Sequence, residues 1–177
     1  MRRKGVRILA IFILICINIS IFSRVNADTV NVVLESEAYA ISQKSLTISR
    51  IIPKTDIGEF KKQFNIDPEK VHVYGKSGTT EVTDGVIGTG MKIHFDTIEN
   101  DYTACVIGDI NGDGEISQYE ISKAIKHVVG LEEHQLSGIN ATAIDVDGDG
   151  EITQKDVSIL IKYVVYGKLD IDGKRIP

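Results

Sequence analysis

The apolar residues of this chain follow three different spacings. From Ile8 to Phe22 they form a fifteen-residue run, interrupted at Asn18, behind Arg2, Arg3, Lys4 and Arg7. In "VHVY", "MKIHF" and "YTACVI" they alternate with polar residues, the period-two pattern of strands. Beyond residue 120 they recur at helical spacing, Ile121, Ala124 and Val128 in one stretch and Val157, Leu160 and Val164 in another. These two stripes predict helices packed antiparallel on each other. "SLTISRII" is a further β-rich segment, and "DIGEFKKQF" reads as a short helix with Asp56 as N-cap, Glu59 three residues on, and Ile57, Phe60 and Phe64 on one face. Pro68 closes that stretch, while Gly85, Gly88 and Gly90 punctuate turns. The fold class expected is α+β: a small, mostly-β module with one helix over 28–105, then an all-α module of two loop-helix repeats over 106–169, then a tail over 170–177.

The first run has the order of a secretory signal peptide: basic residues, an apolar stretch, and small residues Val25 and Ala27 ahead of a cleavage point after Ala27. An uncleaved anchor is the alternative, but a spanning helix takes about 20 apolar residues. Loss of 1–27 removes five basic residues, so Lys+Arg falls from 20 to 15 against 25 Asp+Glu, a formal charge of −10. Such a surface attracts cations, not nucleic acid or an anionic membrane. Cys105 is then the one cysteine left, so no intrachain disulfide can staple the small module, and metal is the candidate staple.

The metal reading rests on a duplication. "DINGDGEISQYEISKAIKHVVG" from Asp109 lies over "DVDGDGEITQKDVSILIKYVVY" from Asp145 at an offset of 36 residues. Asp109, Asn111, Asp113 and Glu120 occupy positions 1, 3, 5 and 12 of the pattern D-x-[DN]-x-[DN]-G-x5-E, with Gly114 at the sharp turn. Asp145, Asp147, Asp149 and Asp156 do the same around Gly150. A calcium ion takes six to eight oxygens, and alternate residues of a tight loop point inward to supply them. Glu115 and Glu151 lend backbone carbonyls at position 7, and Ser117 and Thr153 stand at position 9 as ligands or water holders. Two calcium ions are expected. Ile116 and Ile152, at position 8, are expected to pair across a short two-stranded contact. "DYTACVIG" ahead of the first loop is a strand, so that loop has only its exiting helix, unlike a sensor whose paired helices swing open.

With these features in place, Gly108 to about Gly167 resembles a type I dockerin module: "GDINGDG" enters the first repeat, "AIDVDGDG" the second, and "LSGINATAID" resembles the family's middle helix. The resemblance implies a calcium-dependent plug for a cohesin domain, by which bacteria attach secreted proteins to a scaffold in a cellulosome or on the cell surface, with a link to polysaccharide degradation. Where family members often carry a Ser-Thr pair that touches cohesin, this chain holds Gln118-Tyr119 and Gln154-Lys155, and Glu120 stands where the family usually has Asp. Ile125 and Ile161 are either extra core or an apolar contact for the partner, since family members more often place a basic residue there. The segments "IIPKTDIGEFKKQF", "VHVY", "GTGMKIHF" and "YTACVIGD" together resemble a module found ahead of dockerin repeats in clostridial surface proteins, which implies a structural companion or spacer.

Catalytic signals are absent from the sequence. There is no H-E-x-x-H or G-x-S-x-G, and no Trp for a sugar platform. "GTGMK" precedes a strand, so it lacks the helix N-terminus of a phosphate loop. His72 and His94 read as surface residues in polar slots. The expectation is a secreted, non-enzymatic adaptor with a cohesin partner, without nucleic acid, membrane or small-molecule substrate. The opposing class is a structural or adhesive surface protein in which the calcium module clamps its neighbour. An enzyme in 28–105 is a weaker third class, needing a pocket of convergent titratable groups.

Overall fold

The alternating segments assemble into one five-stranded sheet in a computed structural model, which describes residues 33–171 and 174–176. The expected signal peptide, 1–27, lies outside the described residues. The strands are β1 (Ala40–Ser42), β2 (Thr47–Ile51), β3 (Val71–Tyr74), β4 (Lys92–Phe95) and β5 (Tyr102–Val106), in the order β1-β2-β5-β4-β3. β5 is central, parallel to β2 and antiparallel to β4.

One face of this sheet is covered by the helix read from "DIGEFKKQF". In α1 (Ile57–Lys61) the Asp56 carboxylate accepts from the Gly58 and Glu59 amides at 2.8 and 3.2 Å, satisfying two of the donors that a helix start leaves open. Ile57 and Phe60 are buried, and an aromatic chain runs Phe60–Phe64–Phe95–Tyr102 at centroid distances of 5.0, 5.2 and 5.9 Å, all edge-on, the arrangement the ring quadrupoles prefer. Pro68 does not end this helix, which stops at Lys61. It opens a separate 3-10 turn, Pro68–Lys70, where its fixed φ suits a first-turn position and its missing N–H costs nothing.

β3 and β4 keep the alternation, but Ala104, Cys105 and Val106 of β5 are all buried. The reason is a second layer on the other face. Cys105 Sγ–H points at the Ile139 carbonyl, 3.7 Å away, in α3 (Gly138–Ile144), so β5 has a core on both sides. The second core gathers Ile107, Ile116, Ala124, Ile144, Val146, Val157 and Leu160 between α2 (Gln118–Val128), α3 and α4 (Gln154–Tyr166). The chain then forms the antiparallel pair β6 (Leu169–Ile171) and β7 (Lys174–Ile176), with Leu169 buried in the same core. The α+β class is therefore as expected, and no helix of the described residues is long and apolar enough to cross a membrane.

Two details differ from the sequence reading. Ile116 and Ile152 both pack into this core, yet among the described residues no β-bridge joins them, because Ser117 and Thr153 immediately turn the backbone into helix caps. Val164 was expected in the helix-helix seam. It lies near the end of α4 and lines an open groove, and Ile159 is buried instead.

Gly108 joins the two layers. It follows β5 with φ +76°, and a Cβ there would stand 2.6 Å from Ile116 Cδ1 and 2.8 Å from Leu160 Cδ2. Left-handed strain and overpacking act together at this point, so Gly108→Ala is expected to cost roughly 2–4 kcal/mol, read as a lowered urea midpoint in saturating calcium.

Candidate metal centre

The first loop is organised around the Asp109 carboxylate, which is wholly buried. Its Oδ1 accepts from the Gly112 amide at 2.5 Å, and its Oδ2 from the Gly114 amide at 3.0 Å. Asn111 and Asp113 follow as turns of the same kind: the Asp113 amide donates to Asn111 Oδ1 at 2.9 Å, and the Glu115 amide to Asp113 Oδ1 at 2.8 Å. At the far end the loop runs into a capping box, in which Ser117 N and Oγ both donate to Glu120 Oε2, at 2.8 and 2.6 Å. Glu120 is fully buried and its Oε1 has no hydrogen-bond partner. A buried carboxylate oxygen left bare is costly unless a cation meets it, so the donor set fits a hard ion such as calcium.

The second loop repeats the design. Asp145 accepts from the Gly148 and Gly150 amides at 2.9 and 3.0 Å, and Thr153 with Asp156 forms the second capping box. Asp145, Asp147 and Asp149 offer oxygens that all lie within 4.8 Å of one another, a spacing at which like charges repel and a cation is welcome. Burial pushes the Asp145 carboxyl above its ordinary range, with the Asp156 and Asp147 charges adding to the effect and the two glycine amides opposing it. The Lys155 ammonium, 2.5 Å from the buried Asp147 Oδ2, holds the Asp147 carboxyl low. The loops differ at position 12. Both Asp156 oxygens are engaged, Oδ1 by the Val146 amide at 2.8 Å and Oδ2 by the Thr153 amide at 2.9 Å, whereas Glu120 keeps Oε1 bare.

Residues 107–165 match the family model of the dockerin type I domain. This segment is a type I dockerin domain. No curated protein and no solved structure gave a match to the chain. Type I dockerins bind calcium and dock onto cohesin domains, and a dockerin domain is itself non-catalytic.

The residues of β2 and of the turns between strands that embrace the dockerin loops escaped the sequence reading. The Thr89 amide donates to Asp109 Oδ2 at 2.8 Å, and the Thr89 hydroxyl bridges the backbone of Val106. Lys54 N donates to the Gly114 carbonyl at 2.8 Å, and Lys76 Nζ to the Asn111 carbonyl. Gly88 lies so close to the loop that a Cβ would fall 2.2 Å from the Gly112 carbonyl oxygen. On the second loop, the Arg50 guanidinium donates to the Val146 carbonyl at 2.9 Å. Arg50 has φ 67° at the register irregularity between Ile48 and Ile51, and a bulge there re-aims its side chain. The one available signal was "GTG", whose small residues allow close backbone approach.

On the helices, Gln118, Tyr119, Gln154 and Lys155 are exposed, as expected of solvent-facing positions. Ile125 and Ile161 are each 42 % exposed, so neither is core. With Val164 and Val165 they line a groove of about 490 Å³ between α2 and α4, and Gln118 stands at its edge. Tyr119, Gln154 and Lys155 lie outside it; Lys123 Nζ sits 5.4 Å over the Tyr119 ring.

Two outcomes follow from this geometry. Glu120→Gln is expected to weaken the first calcium site by about tenfold or more while leaving the second, read by competition with a chromophoric chelator. Burial, with the Asp109 charge adding, pushes the Cys105 thiol up to about 12. The thiolate is the reactive form, so Cys105 is expected to resist a disulfide-exchange reagent at neutral pH until urea unfolds the chain.

Proposed function

We propose that the chain is a secreted, calcium-binding adaptor that docks onto a cohesin domain of a scaffold, in a cellulosome or cell-surface complex serving polysaccharide breakdown. In this reading residues 1–27 are a cleaved signal peptide, 28–105 a non-catalytic companion module, 106–169 the docking module and 170–177 a tail. Two calcium ions are held by Asp109, Asn111, Asp113, Glu115, Ser117 and Glu120 in one loop, and by Asp145, Asp147, Asp149, Glu151, Thr153 and Asp156 in the other. The ions fix the helices, and the helices present the contact surface. The observation that carries the proposal is the exposed apolar groove of Ile125 and Ile161 on a dockerin segment, because a groove with so much apolar area open to solvent marks a contact surface. Gln118 at the groove, with Tyr119, Gln154 and Lys155 exposed at the helix starts, serve as specificity positions.

A second reading is favoured by a different observation. Thr89, Lys54, Lys76 and Arg50 all bond the loops, so calcium also serves as a clamp between the sheet and the helices, and a structural surface protein needs no more than that.

Calorimetry of the mature chain against cohesins from the same organism, in calcium and in chelator, separates the two. The docking reading expects calcium-dependent binding to at least one, weakened by about tenfold or more in the Ile125→Lys, Ile161→Lys double variant with calcium-dependent folding intact. Calcium uptake with no cohesin bound would leave the clamp.

A further inference from the structure

The sheet carries a second convergent set of ligand atoms, on the strands away from the calcium loops. His72 on β3 and His94 on β4 are directly opposite each other in the register. Each ring is held through Nδ1 by its own carboxylate, His72 by Glu81 Oε1 and His94 by Asp101 Oδ1, both at 2.8 Å. An isolated bridge between Tyr74 and Glu81 holds the first of these carboxylates beside β3. An Nδ1–H donated to a carboxylate fixes the tautomer and leaves the lone pair on Nε2. Both Nε2 atoms then face one oxygen, Asp96 Oδ1, at 3.2 Å from His72 and 3.9 Å from His94. Both nitrogens thus stand within 4 Å of one carboxylate oxygen, although the two rings are farther from each other, and a cation beside Asp96 would draw the three together.

We propose that His72 Nε2, His94 Nε2 and the Asp96 carboxylate form a zinc site, with Glu81 and Asp101 orienting the two rings and solvent completing the tetrahedron. Ligand atoms on one tetrahedral zinc stand ~3.4 Å apart, which the two nitrogen–oxygen distances bracket. The ring centroids are 6.2 Å apart and must draw in by about 1 Å to share an ion. The set is thus more open than Asp145, Asp147 and Asp149, whose ligand oxygens lie within 4.8 Å of one another. The donors also bear on the metal: two imidazoles and a carboxylate suit a transition metal such as zinc, whereas calcium takes oxygen alone. Side-chain exposures of 29 % for His72 and 39 % for His94 leave the ring edges reachable by an ion from solution.

The experiment is calorimetric titration of Zn2+ into the chain already saturated with calcium, so that the dockerin loops are filled. One Zn2+ per chain is expected. His94→Ala should lower its affinity by more than about 100-fold, and Glu81→Gln, which touches no metal and spares both rings, by about 10–100-fold. Thermal midpoints in calcium without zinc are expected to match the parent for both variants, which separates loss of the site from loss of the fold. Absence of zinc uptake, or uptake that both variants leave unchanged, would overturn the proposal.

Discussion

The structure hinges on one buried carboxylate. Asp109 receives amide hydrogens from Gly112 and Gly114 of its own loop and from Thr89 in the turn ahead of β4. An ionised group this far from water is tolerable only when its oxygens are met by donors, and each charge-assisted bond of this kind is worth roughly 1.5–3 kcal/mol. Two of the three donors fix the curl of the loop. The third comes from the turn ahead of β4, twenty residues earlier, so the curl of the loop and the seat of that turn share one buried carboxylate.

β5 makes the same coupling covalent. It lies at the centre of the sheet, has a buried face on each side, and leads through Ile107 and Gly108 into Asp109. The Ile107 amide still pairs with the Ile51 carbonyl of β2, so sheet geometry persists to within two residues of the first loop position. Such continuity explains why Gly108 must be glycine: the chain turns sharply between two finished cores, and no side chain fits among Ile116 and Leu160. The described residues accordingly form one compact unit, although their sequence reads as two modules.

What was legible in the sequence was what is written locally. The Asp56 cap and the two loop-helix repeats involve residues within a dozen positions of one another, and the cap and the exiting helices stand where the sequence put them, while the two capping boxes reuse Ser117, Glu120, Thr153 and Asp156 in a role that the loop pattern alone did not suggest. The contacts that weld sheet to loops were not legible, since Thr89 meets Asp109 across 20 residues and Arg50 meets Val146 across 96. No periodicity encodes such pairings. Ile125 and Ile161 show the intermediate case: helical spacing put them beside the apolar stripe, and only the width of the space between α2 and α4 decides that they face solvent. The histidines fell between these cases, because alternation placed them outward correctly but could not show that register sets them opposite each other.

A duplicated sequence would make two equivalent ends, and the surroundings prevent that. The first loop is pressed against Gly88, Thr89 and Lys76, while nothing lies within 4 Å of where a Cβ on Gly150 would stand in the second. Glu120 keeps one oxygen bare and Asp156 spends both on backbone amides. The helix starts diverge as well: Tyr119 is exposed with Lys123 over its ring, whereas its counterpart Lys155 reaches back to Asp147. Near-identical loops therefore sit in unequal electrostatic settings. Any partner that reads the helix starts meets an aromatic ring at one end of the pseudo-symmetric module and an ammonium tied to the loop at the other, so a half-turn of the module presents different chemistry.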